Sequence, residues 1–230
     1  MTAVFAHRGY TEGCTENTVE AFAEAKRHGA DGVELDVRLT RDGALAVHHD
    51  AAIAGLGPLS TLAVPDLPPH VPLLSDVLAV CEGMTVNVEI KNDPRDPGHD
   101  PSESVASLVA AAIDEVGWTE RVIVSSFQLS TLHAVRTADP RLAVGALWPV
   151  VGEPSAYLAE AIASGWQAVH PFVTMVDADL VGRAHAAGLA LNVWTVNARA
   201  DLESCVALGV EAVITDRVDD ALEICGPGAP

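Results

Sequence analysis

From end to end, the chain alternates between short runs of Val, Ile and Ala and longer Ala-rich stretches with helical spacing. The apolar runs fall at Ala3–Ala6, Gly32–Val37, Ala44–Val47, Thr85–Ile90, Val122–Ser126, Leu142–Leu147, Ala168–His170, Ala190–Val196 and Ala212–Thr215. Most are bounded by Gly, Asp or Pro and rich in Val and Ile, so they read as buried strands. Thr18–Arg27, Ser102–Val116, Leu129–Ala138, Ser155–Ser164, Ala178–Ala187 and Ala198–Ala207 read as helices between them. Asn17 followed three residues later by Glu20 predicts a capping box at the first of these. A helix between successive strands makes the strands parallel. Repeated over 230 residues, that pattern predicts one α/β domain across 1–230, a TIM-type (β/α)8 barrel.

Nine runs are one too many for such a barrel. The second and third are separated only by RLTRDG, too short for a crossover helix. An extra strand or hairpin is therefore expected near the second strand. Two irregular, proline-rich stretches, 51–72 and 92–101, follow strands that carry polar residues, and both are expected as loops over the active face.

Lys and Arg total 13 against 32 Asp and Glu, a formal net charge of −19. Such a surface repels nucleic acid and offers no polybasic membrane anchor. It also repels anionic substrates, so a site that uses phosphate needs local cations or a metal. Cys14, Cys81, Cys205 and Cys225 lack C-x-x-C spacing, which argues against a zinc site or a disulfide framework. The start MTAVFAHRGY lacks secretory-signal character, and the longest apolar run, LAVGALWPVV, is too short to span a bilayer. A cytoplasmic protein without a stable membrane anchor is expected.

Charged and titratable groups gather at the ends of the early strands. Glu34 and Asp36 in GVELDV lie two apart and share one strand face, as do Glu89 and Lys91 in NVEIK. Carboxylates converging inside a barrel repel and raise one another's pKa. A divalent cation resolves the conflict, and all-oxygen ligation favours Mg²⁺ or Ca²⁺, with Mn²⁺ also admissible. The competing reading is ion pairing of these carboxylates with Arg8 and Lys91. His7 and His49 also sit at strand ends, and a histidine pair can act as base and acid on opposite sides of a reacting centre. His48 faces the other way by alternation and reads as structural. Arg8 and Lys91 are suited to stabilising phosphate oxygens as charge develops.

The segments AHRGYTEGCTENTVEAFAEAKRHGADGVELDVRLTRDGALAVHHD, NVEIK, VSSF, NVWTVN and AVITDR resemble the glycerophosphodiester phosphodiesterase family, in that family's order, from residue 6 to about residue 217. The resemblance implies a TIM-type barrel that hydrolyses phosphodiesters with one divalent cation. It implies His7 and His49 as the acid/base pair, Glu34, Asp36 and Glu89 as metal ligands, and Arg8 and Lys91 near the substrate phosphate. Trp194 matches an aromatic near the pocket, with a packed strand residue as the alternative. The expected reaction releases sn-glycerol 3-phosphate and an alcohol from a glycerophosphodiester through a cyclic phosphate. Which histidine is acid and which is base stays open in the sequence. After HHD the chain departs from the Arg-Thr-Thr-Asn-Gly-like stretch and inserted subdomain of many members, reading AAIAGLGPLSTLAVPDLPPHVPLLSDVL instead, a segment expected to help form the pocket wall. Three rival readings are a lysophospholipase D-type enzyme on the same barrel, a catalytically silent glycerophosphodiester-binding protein, and an enolase-type proton-abstracting barrel, which fits HRG and HD less well.

Overall fold

The computed structural model describes residues 1–150 and 154–226. Its strands are β1 (Ala3–His7), β2 (Gly32–Leu39), β3 (Leu45–Val47), β4 (Ala52–Ile53), β5 (Gly57–Pro58), β6 (Thr85–Ile90), β7 (Val122–Ser126), β8 (Ala143–Leu147), β9 (Ala168–His170), β10 (Ala190–Val193) and β11 (Ala212–Thr215). Its helices are α1 (Val19–His28), α2 (Leu74–Val80), α3 (Ser104–Glu115), α4 (Leu129–Ala138), α5 (Pro154–Ala163), α6 (Ala178–Ala186), α7 (Arg199–Leu208) and α8 (Val218–Cys225).

Eight parallel strands close on themselves in the order β1-β2-β6-β7-β8-β9-β10-β11. The seam is sealed by β1, which pairs with β11 (Phe5 opposite Ile214) and with β2 (Ala6 opposite Val33). The surplus strand is β3, antiparallel to the end of β2 with Val47 opposite Val37, outside the closed ring. The fold is therefore the TIM-type barrel with an added strand that the alternation predicts.

Strand alternation divides the side chains between two layers. Val33, Leu35 and Val37 of β2 and Val86, Val88 and Ile90 of β6 face outward into the helices and are buried. Each such side chain contributes about 1.5–3 kcal/mol when taken fully out of water. Inside the barrel, Phe5, Ala212 and Ile214 form a small apolar cluster against Ile123 and Trp194. Gly32 leaves room for it, since a Cβ there would lie 2.7 Å from the Phe5 ring. The apolar plug fills one side of the lumen. Polar side chains also point inward from β2, β6, β7, β9 and β10: Glu34, Asp36, Asn87, Glu89, Ser125, His170 and Asn192, all buried.

Two local readings are corrected. The cap of α1 is Thr18, whose hydroxyl accepts from the Ala21 N–H at 3.2 Å, and not Asn17. Asn17 has φ of 56°, and its carboxamide points into the barrel mouth. The helices α2 and α8 also lie where the sequence predicts none. The 51–72 segment packs Ile53, Leu59 and Val71 against Ala46 in a cluster of its own.

Candidate active site

The C-terminal ends of β1, β2 and β6 bring the early charged residues together. Oxygens of Glu34, Asp36 and Glu89 lie within 4.8 Å of one another, and all three residues are buried. Burial, followed by the neighbouring Asp36 charge, pushes the Glu34 carboxyl up to about 8. Burial also opposes ionisation of Asp36, but Lys91 and Arg8 outweigh it and hold that carboxyl down at about 2. Glu89 is raised by burial, with Lys91 opposing. Lys91 Nζ lies 2.6 Å from Glu89 and 3.0 Å from Asp36, while Arg8 Nε lies 3.4 Å from Asp36. The ion pairs of the competing reading therefore exist, yet among the described residues they leave Glu34 with no cationic partner but His7 at 3.9 Å. An all-carboxylate donor set that still forces one of its members to stay protonated fits a hard divalent cation.

His7, at the end of β1, presents Nδ1 to Asp216 at 2.7 Å. Asp216 follows β11 and is itself held by the Asn197 carboxamide, which donates to it at 2.7 Å, while its own N–H donates to Asn197 Oδ1 at 2.9 Å. Burial opposes protonation of His7, but the Asp216 hydrogen bond and the Glu34 charge outweigh it and raise its pKa. Asp216, whose ionisation burial also opposes, is held below the usual carboxylate range by the His7 bond. This bridge leaves Nε2 of His7 turned toward Glu34.

His49 lies beyond β3, with Nδ1 2.8 Å from the exposed Asp50 carboxylate. Its backbone carbonyl accepts from Arg38 Nε at 2.8 Å, and Arg38 in turn pairs with Asp96 at 2.7 Å. His48 turns instead to the Asp50 carbonyl at 2.9 Å.

Arg8 and Asn17 are both left-handed, with φ of 57° and 56°. The Asn17 N–H donates to the Arg8 carbonyl at 2.8 Å, and both side chains converge on Asp36, Asn17 donating to Oδ2 at 2.8 Å. Left-handed backbone at a non-glycine residue is costly and persists where the surroundings enforce it. Here the enforced turn brings one amide donor and one guanidinium charge to a single carboxylate.

These groups line two adjoining cavities. The smaller, about 190 Å³, is bounded by His7, Arg8, Glu34, His49, Glu89 and Lys91, with Trp194 on its wall. The larger, about 610 Å³, is shared by His49, Lys91 and Trp194 and continues over Arg38, Asp93 and Asp96. The 92–101 segment thus contributes to the larger wall, whereas no residue of 51–72 lines either cavity. Trp194 is fixed edge-on between Phe127 and Phe172, and its indole N–H donates to the His170 carbonyl at 2.8 Å. Asn17, Arg38, Asn197 and Asp216 are the site residues that sequence reasoning missed. Only Asp216 carried a signal: it directly follows the last apolar run, as Arg8 follows the first.

A closed α/β barrel with a buried carboxylate triad and two histidines at its C-terminal mouth defines a class of phosphoric diester hydrolases. Residues 7–68 and 54–220 match the model of the glycerophosphoryl diester phosphodiesterase family, and the chain belongs to that family. It is 31% identical to a glycerophosphodiester phosphodiesterase of Caldanaerobacter subterraneus subsp. tengcongensis, covering 99% of both chains. It is 32% identical to one of Bacillus altitudinis, covering 97% of this chain and 98% of the other. Among solved structures, an Oleispira antarctica phosphodiesterase in complex with the product sn-glycerol-3-phosphate superposes with a TM-score of 0.84 at 24% identity, covering 99% of this chain and 98% of that one. A Silicibacter pomeroyi structure described as a glycerophosphoryl diester phosphodiesterase gives 0.86 at 24% identity, over 97% and 92%. No described helix is long and apolar enough to cross a membrane.

Proposed function

We propose that the chain hydrolyses a glycerophosphodiester to sn-glycerol 3-phosphate and an alcohol, with one divalent cation (Mg²⁺, Ca²⁺ or Mn²⁺) held by Glu34, Asp36 and Glu89. The observation that carries this reading is one cavity of about 190 Å³ lined by Glu34, Glu89, both histidines, Arg8 and Lys91, with Asp36 grouped with the two glutamates at its edge. When bound, the cation supplies Lewis-acid polarisation of a phosphate oxygen and of the attacking hydroxyl.

The protein's own groups do the rest. Arg8 and Lys91 offset charge on the remaining phosphate oxygens. His7 borders only the smaller cavity, which suits the glycerol phosphate portion, and there Nε2 takes the proton of the glycerol hydroxyl that attacks phosphorus. His49 borders both cavities, so it lies at the bond to be broken and delivers a proton to the departing alcohol. The alcohol leaves through the larger cavity. Opening of the cyclic phosphate by water reverses the two roles: His49 takes the water proton and His7 returns one to the glycerol oxygen. Trp194 walls both cavities and limits the space beside the phosphate.

The test is a panel of glycerophosphodiesters incubated with the protein, with and without chelator, and assayed for sn-glycerol 3-phosphate. Release that a chelator abolishes and added Mg²⁺, Ca²⁺ or Mn²⁺ restores is expected. Release of a head group from a lysolipid, with no glycerol phosphate from any member, would overturn the reading.

A further inference from the structure

Beside the carboxylates, the barrel interior holds further polar side chains to which the proposed chemistry gives no role, among them Asn87 on the wall of the smaller cavity. Asn87 of β6 is the register partner of Glu34 on β2, and Ser125 of β7 is the partner of Glu89 on β6. Register partners in a parallel sheet project to the same face, so each neutral side chain stands beside one acid. Asn87 and Ser125 are completely buried. Among the described residues, Asn87 Nδ2 and Oδ1, Ser125 Oγ and His170 Nδ1 have no hydrogen-bond partner.

Four unpartnered polar atoms inside the lumen are an expensive way to fill a barrel, because apolar side chains of the same shape cost nothing in lost hydration. The packing is nevertheless tight. Ser125 neighbours Gly145 in register, and a Cβ on Gly145 would lie 2.2 Å from His170 Nε2. The imidazole therefore occupies the place that a residue-145 side chain would take. Its Nε2 meets the Asn192 carboxamide nitrogen at 3.0 Å, which puts the ring proton on Nδ1. Burial depresses the His170 pKa to about 3, so the ring is neutral.

We infer that Asn87 and Ser125 are positioning residues for the cation's carboxylates, each supplying, when the cation is bound, the donor that now stands unpartnered beside its register neighbour: Asn87 for Glu34 and Ser125 for Glu89. Outer partners of this kind fix the direction in which a carboxylate presents its oxygens. The inference rests on the cation reading of the triad, and the experiment separates the two.

The full chain, freed of metal, is titrated calorimetrically with MgCl₂, CaCl₂ and MnCl₂ as wild type, Ser125→Ala and Asn87→Leu. Asn87→Ser replaces the last if Asn87→Leu does not fold. Each variant is expected to bind the cation about 10- to 100-fold more weakly. Its melting temperature without cation should be unchanged or higher, because an unpartnered polar group has been removed. Affinities within about twofold of a wild type that does bind would overturn this inference and leave the cation reading standing. A wild type that binds none of the three ions would overturn both.

Discussion

His7 and His49 differ in what holds them. His7 is locked by a carboxylate that is itself locked by Asn197, while His49 leans on an exposed Asp50 and is placed through its backbone by Arg38. Replacement of either by Asn should cost at least about 10²-fold in kcat, the usual worth of a positioned acid or base. Asp216→Asn should cost about 10- to 100-fold in kcat with little change in KM, because it frees the His7 ring without emptying the pocket. Steady-state kinetics on one glycerophosphodiester checks all three, and an Asp216→Asn enzyme with wild-type kcat would show the bridge to be idle. Glu34 supplies a stability test. Its folded pKa of about 8 exceeds that of a free Glu carboxyl, so between those values the native state binds the extra proton and stability falls as pH rises. Asp36 shifts the other way, but its stabilisation is lost only on acidification toward about 2, outside that window. Without cation, the melting temperature should therefore decline from pH 5 to pH 8 more steeply in wild type than in Glu34→Gln, and saturating Mg²⁺ should flatten the wild-type slope. Residues at strand ends were legible in the sequence because alternation alone says which of them share a face. Asn17 was not, because Asn before Thr and Glu also spells a helix cap. Neither was the Asp216 bridge, whose two members lie 209 residues apart.

At the scale of elements, the strands carry the site and glycines set the spacing between layers. The barrel strands were readable because each is a short aliphatic run bounded by turn residues, and β6, β7, β9 and β11 match their sequence limits. The helix α2 escaped because its seven residues emerge from a proline-rich stretch, and α8 because its eight residues are too few to show a clear helical period. These short helices take their stability from packing more than from their own periodicity. The polar lumen was half legible: alternation placed Glu34, Asp36 and Glu89, but no local pattern announces that Gly145 exists to admit His170. That pairing yields a prediction. A methyl group on Gly145 would sit 2.2 Å from a buried ring nitrogen already bonded to Asn192. Gly145→Ala should destabilise the fold by about 1–3 kcal/mol, the usual cost of overpacking. Thermal or urea unfolding measures it, and an unchanged midpoint would mean the ring moves aside freely.

For the whole molecule, the net charge of −19 sets a long-range field against which an anionic substrate must approach. The cations at the mouth act only at close range, since Lys91 and Arg8 are already engaged with carboxylates. Screening shortens the repulsive reach from about 30 Å at 0.01 M salt to about 8 Å at 0.15 M. kcat/KM should therefore rise with ionic strength over that range at fixed divalent cation, and a fall would show that the local cations dominate the approach.

The closing seam also sets a clock. His7 ends β1, and the carboxylate that orients it directly follows β11, 209 residues further along the chain. Until that strand docks against β1, the ring at position 7 has no orienting partner and the barrel has an open edge. A chain halted before Asp216 would hold His7, Glu34, Asp36 and His49 and still lack the carboxylate that bonds the His7 ring. Orientation of the His7 ring and closure of the barrel thus depend on the same meeting of β11 with β1.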